Sequence, residues 1–288
     1  MIDPVQLNTL VAIHETGSFD AAARCLNLTQ SAISQRIKAL EERFGAALIE
    51  RGTPCRATPL GARLIRHRSE VGLLEQALAS ELGLDAAQTT LRIAVNADSL
   101  ATWILPALTS LPDVSFDMVV DDQDNTADRL RRGTVSAAVS ADPAPVMGCD
   151  SIPLGALRYR ATASPAFVAR HLSGNRTDGF ATAPMLIYDR KDKLQSRWLL
   201  NQTGRDLSPP SHYIPSTTAF VEAALIGLGW GLNPAPLVDD LIAKGALIDL
   251  SPDTETSVDL YWQVNRVSAK PLAPLTAAIK QAAARVLI

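Results

Sequence analysis

Two short helical patterns separated by a tight turn lie near the start of the chain, and they restrict its fold more than any other feature. Ser18 is a favourable N-cap for the first pattern and Thr29 for the second. Apolar residues in the second pattern recur at steps of four, three and four, which predicts a helix with one buried face. These residues are Ile33, Ile37, Leu40 and Phe44. Two helices joined by so short a turn predict a helix-turn-helix.

The face of the second helix opposite to this stripe is polar. It holds Ser31, Ser34, Gln35 and Lys38, with Gln30 and Arg36 beside them. In a helix-turn-helix such a face enters the major groove, where glutamine pairs with adenine and a basic side chain reaches guanine or phosphate. A helix face that meets only water is the alternative, because polar faces are common on surface helices.

A short hairpin pattern follows this helix. Residues 46–51 form an alternating apolar segment that ends in a charge, and residues 52–58 contain the turn formers glycine and proline. We expect a wing from which Arg51 and Arg56 contact the DNA backbone. The local charge agrees, because eight Arg and Lys against three Glu between residues 29 and 68 suit phosphate, although the whole chain carries a net charge of −3.

The segment from residue 17 to residue 58 resembles the DNA-binding domain of LysR-type transcription regulators. The resemblance rests on Gly17 to Ala23, Thr29 to Glu41, Phe44-Gly45, Leu48, Arg51 and Thr58, and the run Ser34 to Arg36 is similar to the branch that regulates arginine and lysine export. It implies a winged helix-turn-helix at residues 1–58 that binds double-stranded promoter DNA. The expected contacts are Ser18, Thr29, Gln30, Ser31, Ser34, Gln35, Arg36, Lys38, Arg51 and Arg56.

A long helix with a heptad pattern is predicted at residues 59–83. Its heptad and interleaved positions are Leu60, Leu64, Val71, Leu74 and Leu78. The pattern predicts a dimerisation seam, although His67 interrupts it, and a helix packed on its own domain is the alternative. The family resemblance implies a homodimer or a homotetramer. Residues 84–90 have no clear period and are expected to form a hinge.

The remaining residues, 91–288, alternate short apolar strands with amphipathic helices, which predicts an α/β domain with a largely parallel sheet. The predicted strands are 91–95, 114–120, 135–139, 185–188 and 230–232, and the predicted helices are about 100–111, 126–132, 165–171, 194–201, 218–228 and 271–287. The resemblance implies an effector domain similar to periplasmic binding proteins, with two lobes. We expect the first lobe at 91–162 and 268–288 and the second at 163–267.

The effector site is expected where the first two strands end, because ligands of open α/β sheets bind beyond the carboxyl ends of strands. Ser99 suits an N-cap and, with Thr102 and free backbone N–H groups, a bound carboxylate. Aspartates that follow the second strand suit a cation, although loop aspartates are often only solvated, and plain helix capping is the alternative for Ser99. The expected contacts are Asn96, Asp98, Ser99, Thr102, Asp121, Asp122, Asp124, Thr217 and Thr218.

The run from Asn96 to Trp103 resembles the same export regulators. This resemblance implies lysine or arginine as the effector, and control of a gene for a basic amino-acid exporter through contact with RNA polymerase. Two alternatives stay open, namely a regulator of the same type with a different effector, and a less specific replication-linked or architectural DNA-binding protein.

Other classes of protein fit the sequence poorly. The three cysteines and four histidines are widely spaced, and no catalytic or dinucleotide motif occurs in its proper context, so we expect no enzyme activity, metal or cofactor. A solute-binding protein of the transport type would lack residues 1–83. No apolar run approaches the roughly 18 residues that span a bilayer, and the first 20 residues do not form a secretory signal, so a cytoplasmic location without membrane contact is expected.

Overall fold

The computed structural model describes residues 2–82, 89–112, 114–120, 129–130, 134–174 and 176–288. Its first three helices are α1 (Pro4–Thr16), α2 (Phe19–Cys25) and α3 (Gln30–Phe44). The hydroxyl of Ser18 accepts a hydrogen bond from the backbone N–H of Ala21 at 3.0 Å, and that of Thr29 from Ala32 at 3.2 Å. Both predicted N-caps are therefore confirmed. The apolar stripe of α3 faces the core as predicted, with Phe44 only partly buried.

The wing is a two-stranded antiparallel hairpin of β1 (Ile49–Glu50) and β2 (Arg56–Ala57). The carboxylate of Glu41 on α3 accepts a hydrogen bond from the backbone N–H of Leu48 at 2.8 Å and so holds the start of the hairpin. Its other end is held where the backbone N–H of Cys55 donates to the carbonyl of Gly17 at 2.7 Å. The predicted wing is confirmed, and it is fixed to the helix-turn-helix at both sides.

The long helix α4 (Pro59–Glu81) belongs to two hydrophobic cores. Leu64 packs in the core of the N-terminal domain, whereas Leu73 packs in the core of the C-terminal domain. Leu60 also packs on the N-terminal core, so the side chains in the first half of the predicted dimerisation seam contact their own domain. The second half is different, since Leu74 and Leu78 are 45% and 56% exposed.

The C-terminal domain is a mixed α/β structure with two lobes. Its elements are β3 (Thr89–Val95), α5 (Ala97–Thr102), α6 (Leu105–Leu108), β4 (Val114–Val120), β5 (Ala137–Ser140), β6 (Cys149–Ala163), α7 (Pro165–His171), α8 (Arg176–Thr182), β7 (Met185–Ile187), α9 (Leu194–Thr203), β8 (Ser211–Tyr213), α10 (Thr217–Leu225), β9 (Gly231–Pro234), α11 (Ala235–Ala243), β10 (Ile248–Asp249), β11 (Thr256–Asn265) and α12 (Ala273–Ala283).

The expectation of a largely parallel sheet is wrong. Strand β3 pairs in parallel with β4 and β5, but β11 pairs antiparallel with both β5 and β6, and β6 pairs antiparallel with β9 and β10. The reason is that β6 and β11 are single long strands that run side by side through the domain. A separate parallel pair consists of β7 and β8. The register between β6 and β11 shifts at Leu260 and Tyr261, opposite Gly155, whose φ is +114°.

Most predicted elements are found within two or three residues of their expected positions, with two exceptions among the helices. The helix expected at about 100–111 is divided into α5 and α6, because Pro106 lies in the first turn of α6 and cannot continue a helix from α5. The helix expected at about 126–132 lies almost wholly outside the described residues. Most of the expected hinge at 84–90 lies outside them as well, and its last two residues belong to β3.

Candidate effector site and DNA-binding surface

A cavity of about 390 Å³ lies between α5, β6, the loop that precedes α9, and the first turn of α10. This volume is at the small end of the range for ligand pockets and suits a molecule of amino-acid size. The apolar part of its wall includes Phe220, Leu232 and Val258. The rest of the wall is mainly polar or charged, so the cavity is suited to a ligand with several hydrogen-bonding groups.

Asp98 joins two walls of this cavity. Its carboxylate accepts a hydrogen bond from the hydroxyl of Tyr159 at 2.6 Å and another from the hydroxyl of Thr217 at 2.7 Å. Burial raises the pKa of Asp98 above its ordinary value; the two hydrogen bonds oppose this rise, and the nearby charge of Asp192 adds to it. Burial and the Asp98 carboxylate raise the pKa of Tyr159, which keeps its hydroxyl as a hydrogen-bond donor.

Three deeply buried amide side chains on the cavity wall each have one polar atom without a partner among the described residues. These atoms are Nδ2 of Asn96, Oε1 of Gln195 and Oδ1 of Asn233, and their side chains are at most 5% exposed. Leaving such an atom unpaired costs about 1–3 kcal/mol, which a ligand with matching groups would offset. Two of the three are acceptors, so the cavity favours a ligand that is rich in N–H donors.

Charged side chains of both signs line the cavity. Asp192 is half-buried on the loop between β7 and α9, whereas the basic residues Lys191, Lys193 and Arg197 are exposed. The ion pairs formed among the described residues include neither Asp98 nor Asp192. Two carboxylates therefore share one cavity, neither forms an ion pair with another described residue, and a positively charged ligand group would relieve their repulsion.

The structure brings three of the expected effector residues to the cavity and leaves others elsewhere. Asn96, Asp98 and Thr217 line it. Ser99 is not the N-cap of α5, because Asn96 directly precedes the helix and accepts a hydrogen bond from the backbone N–H of Ser99 at 2.9 Å. Ser99 is fully buried within the helix, and its hydroxyl has no partner among the described residues.

The other expected effector residues do not line the cavity or cannot be placed. The hydroxyl of Thr102 donates to the carbonyl of Asp98 at 2.6 Å, and Thr218 is exposed beside Ser216. Asp121, Asp122 and Asp124 lie outside the described residues.

Several cavity residues were missed by sequence reasoning. Asp192 and Gln195 follow β7, which the sequence predicted, so the rule that placed the site after the first strand would also have pointed to them. No comparable signal pointed to Tyr159, because it lies on β6, a strand that the sequence pattern did not reveal.

The polar face of α3 is accessible to a nucleic acid. Gln30, Ser31, Gln35 and Lys38 are exposed, and Ser34 and Arg36 are half-buried. Lys38 lies 3.7 Å from the carboxylate of Glu42 in a surface ion pair, which is weak enough to exchange for a phosphate. The face thus combines short polar groups with longer side chains that can reach base edges.

The remaining expected DNA contacts surround this face. Ser18 and Thr29 are the N-caps of α2 and α3, so their hydroxyl oxygens accept backbone hydrogen bonds while their hydrogens remain able to donate. The guanidinium of Arg51 lies over the ring of Phe19, 5.3 Å from its centroid, and Arg56 is exposed on β2.

A polar contact links the DNA-binding domain to the effector domain. Nη1 of Arg92 on β3 lies 3.3 Å from Nε2 of His14 on α1, and Arg92 also forms an ion pair with Asp117 on β4 at 2.6 Å. Burial lowers the pKa of His14 below its ordinary value of 6.5, and the charge of Arg92 lowers it further, whereas Asp117 raises it. The contact therefore favours a neutral His14.

In the parts of the chain that the structure describes, each helix is too short or too polar to span a membrane. No group of three or more His, Cys, Asp or Glu side chains in these parts is arranged to hold a metal ion.

A winged helix-turn-helix joined to a domain with a ligand-sized cavity is the architecture of a ligand-responsive DNA-binding regulator. Residues 4–62 match the family described as "Bacterial regulatory helix-turn-helix protein, lysR family", and residues 85–284 match the "LysR substrate binding domain". The chain therefore belongs to the LysR family of DNA-binding transcriptional regulators. This finding confirms the predicted fold class and the predicted type of regulator.

Several known regulators are similar to this chain in sequence and in structure. The transcriptional regulator LysG of Mycobacterium tuberculosis is 42% identical over 294 aligned positions, which cover 98% of this chain and 95% of the relative. The crystal structure of ArgP from Mycobacterium tuberculosis has 41% identity and a TM-score of 0.85, covering 100% of this chain and 99% of that one. Full-length LysG from Corynebacterium glutamicum with bound effector Arg has 34% identity, a TM-score of 0.72 and 99% coverage of both chains.

Proposed function

We propose that this regulator binds arginine or lysine in the cavity beside Asp98 and, in response, controls a gene for a basic amino-acid exporter. The observation that carries the proposal is the presence in one cavity of two carboxylates, Asp98 and Asp192, that have no ion-pair partner in the described part of the chain. The similarity to LysG with bound arginine supports the same class of effector. A ligand of this class has a cationic side chain for the carboxylates and a carboxylate of its own.

The ligand carboxylate needs donors, and the first turn of α10 supplies them. Thr217 lies at the start of this nine-residue helix and lines the cavity, so unpaired backbone N–H groups of the first turn are close to the site. The unpaired Nδ2 of Asn96 is a further donor on the opposite wall. We infer that Asn96, Asp98 and Thr217 contact the effector, while Ser99, Thr102 and Thr218 support the surrounding helices.

We infer that promoter DNA is bound by the polar face of α3, by the caps Ser18 and Thr29, and by Arg51 and Arg56 of the wing. Two protomers would pair through the exposed part of α4 and present two recognition helices to successive major grooves. Such pairing predicts half-sites about one helical turn apart. An effector that binds one arrangement of the protomers more tightly would alter how the promoter is presented to RNA polymerase.

The proposed effector is tested by titrating the purified full-length protein with arginine, lysine and leucine in a calorimeter. We expect saturable binding of at least one basic amino acid and no binding of leucine, which has an uncharged side chain. If neither arginine nor lysine binds, the basic amino-acid effector is refuted, and a panel of other metabolites would then test the alternative of a different effector.

The DNA-binding residues are tested separately with the variants Gln35→Ala and Lys38→Ala on a promoter fragment and on unrelated DNA. Gln35→Ala should reduce the preference for the promoter, because base contacts carry specificity, whereas Lys38→Ala should weaken binding to both and reduce the salt dependence by about one phosphate contact. Wild-type protein that binds both fragments equally would support the less specific architectural role instead.

A further inference from the structure

A hydrogen-bonded loop after β7 contributes one carboxylate to the cavity wall. Oδ1 of Asp192 accepts a hydrogen bond from the backbone N–H of Leu194 at 2.9 Å, and Oδ2 accepts one from Tyr188 at 3.2 Å. The loop is held from its other side by Asp189, whose carboxylate accepts hydrogen bonds from the backbone N–H groups of Lys191 and Asp192 at 2.7 and 3.1 Å. The orientation of the Asp192 carboxylate is therefore fixed before a ligand binds.

The two cavity carboxylates differ in what already occupies them. Asp98 accepts two short hydrogen bonds from hydroxyl groups on separate elements, so it connects α5 to β6 and α10. Among the described residues, the oxygens of Asp192 accept hydrogen bonds only from backbone N–H groups of its own loop, and each oxygen keeps a lone pair for a further donor. Asp98 thus acts mainly as a structural connection, while Asp192 has its charge available to a ligand.

Independent features of the cavity also point to a ligand with several N–H donors. Gln195, near Asp192 in the sequence, and Asn233, on β9, are 2% and 0% exposed, and each has a buried acceptor without a partner in the described parts of the chain. The three basic side chains of the cavity wall, Lys191, Lys193 and Arg197, are exposed to solvent, which screens their charge more strongly than that of the half-buried carboxylate.

We propose that Asp192 is the specificity-determining residue of the effector site, which binds the cationic end of the ligand side chain and discriminates against an uncharged ligand of the same shape. The inference rests on the proposed function, because it assigns a role within the same cavity. A fixed carboxylate discriminates in this way because an uncharged ligand group gives it no charge-assisted hydrogen bond.

The test compares arginine with citrulline, which has nearly the same shape but an uncharged ureido group. Wild-type protein is expected to bind arginine at least about tenfold more tightly than citrulline, since a charge-assisted hydrogen bond is roughly twice as strong as a neutral one. Asp192→Asn keeps the size and one acceptor oxygen of the side chain and removes its charge. Because the amide NH2 of asparagine cannot accept one of the two loop hydrogen bonds, we expect both affinities to fall by a common factor. Arginine binding should weaken by about tenfold more than citrulline binding, in keeping with the loss of one charge-assisted contact.

Two further variants separate the charge from the shape of the loop. Asp192→Glu retains the charge and should restore at least part of the preference for arginine. Asp240→Asn removes one exposed charge on α11, outside the cavity, and should leave both affinities unchanged. Folding of each variant is checked by tryptophan fluorescence.

The possible results are distinct. Equal losses for arginine and citrulline in Asp192→Asn would mean that Asp192 only shapes the loop, and unchanged arginine binding would mean that it does not contact the ligand; either result overturns the inference and leaves the proposed function intact. Failure of the wild-type protein to bind any basic amino acid would overturn both.

Discussion

The hydroxyl of Thr217 donates a hydrogen bond to the carboxylate of Asp98 at 2.7 Å, and this bond joins the first turn of α10 to the first turn of α5 across the cavity. The two residues are 119 positions apart in the chain. Because both line the cavity, a ligand that enters it meets the connection between the walls directly. A ligand in the cavity would therefore contact α5 and α10 at the point where this hydrogen bond joins them.

The stability contribution of this bond is tested with Thr217→Val, which removes the hydroxyl and keeps the shape. A buried carboxylate oxygen then loses a donor, so the free energy of unfolding of the variant should be about 2 kcal/mol lower than that of the wild type. All four tryptophans lie in the C-terminal domain, so their fluorescence during urea unfolding reports this domain. Thr218→Val is the matched control, because Thr218 is exposed. Equal destabilisation by both variants would contradict the assignment.

The raised pKa of Asp98 predicts a specific dependence of stability on pH. The folded protein binds this proton more tightly than the unfolded chain, so the stabilising contribution is fully present below a pH of about 3.8 and is lost as the pH rises through the folded pKa. The free energy of unfolding of the wild type relative to Asp98→Asn should therefore decrease from acidic to neutral pH. A difference that stays constant, as we expect for Asp240→Asn, would show that Asp98 does not titrate in this way.

The contact between His14 and Arg92 predicts the opposite dependence for the N-terminal domain. The pKa of His14 is lower in the folded protein than in the unfolded chain. The contribution of His14 to stability is therefore present above a pH of about 6.5, and it is lost as the pH falls through the pKa of His14 in the folded protein. Wild-type protein should lose stability relative to His14→Gln when the pH is lowered from 8 to about 5. Removing the charge of Arg92 with Arg92→Ala should make this loss smaller, and a larger loss would contradict the proposed contact.

The exposed leucines of α4 predict how protomers associate. Replacing Leu74 and Leu78 together by serine should shift the protein towards the monomer in sedimentation equilibrium, because these side chains would form the buried part of the seam. Leu200→Ser, at a residue on α9 that is 46% exposed, is the control for loss of a surface leucine. An unchanged oligomeric state in the double variant would place the protomer interface elsewhere.

Close packing between α4 and the wing predicts that Gly61 cannot be replaced. A Cβ atom at this position would lie 2.1 Å from the carbonyl oxygen of Leu48, a backbone atom that cannot move aside freely. Gly61→Ala should therefore destabilise the DNA-binding domain by about 3 kcal/mol and weaken DNA binding. Gly52→Ala, whose Cβ would lie 3.5 Å from its nearest neighbour, is the control, and thermal unfolding followed by circular dichroism compares the two. Similar melting temperatures would refute this account.

The sequence alone determined the elements whose signals are local. The caps Ser18 and Thr29, the stripe of α3 and the hairpin of the wing were predictable because capping, helical periodicity and turn residues act over a few positions. The same holds for β3 and for the position of Asn96 and Asp98 directly after it, although the cap of the following helix is Asn96 and not Ser99.

The tertiary structure decided what depends on distant parts of the chain. The sequence pattern could not indicate that Leu64 and Leu73 of one helix would enter two different cores, because a heptad repeat gives the spacing of apolar residues and not their partners. It also could not bring Tyr159 and Thr217 to Asp98, because hydrogen bonds between residues tens of positions apart arise only when strands and helices pack. The local patterns thus predicted the cavity residues that directly follow β3. The packing of β6, α10 and the loop before α9 determined the other residues of the cavity wall.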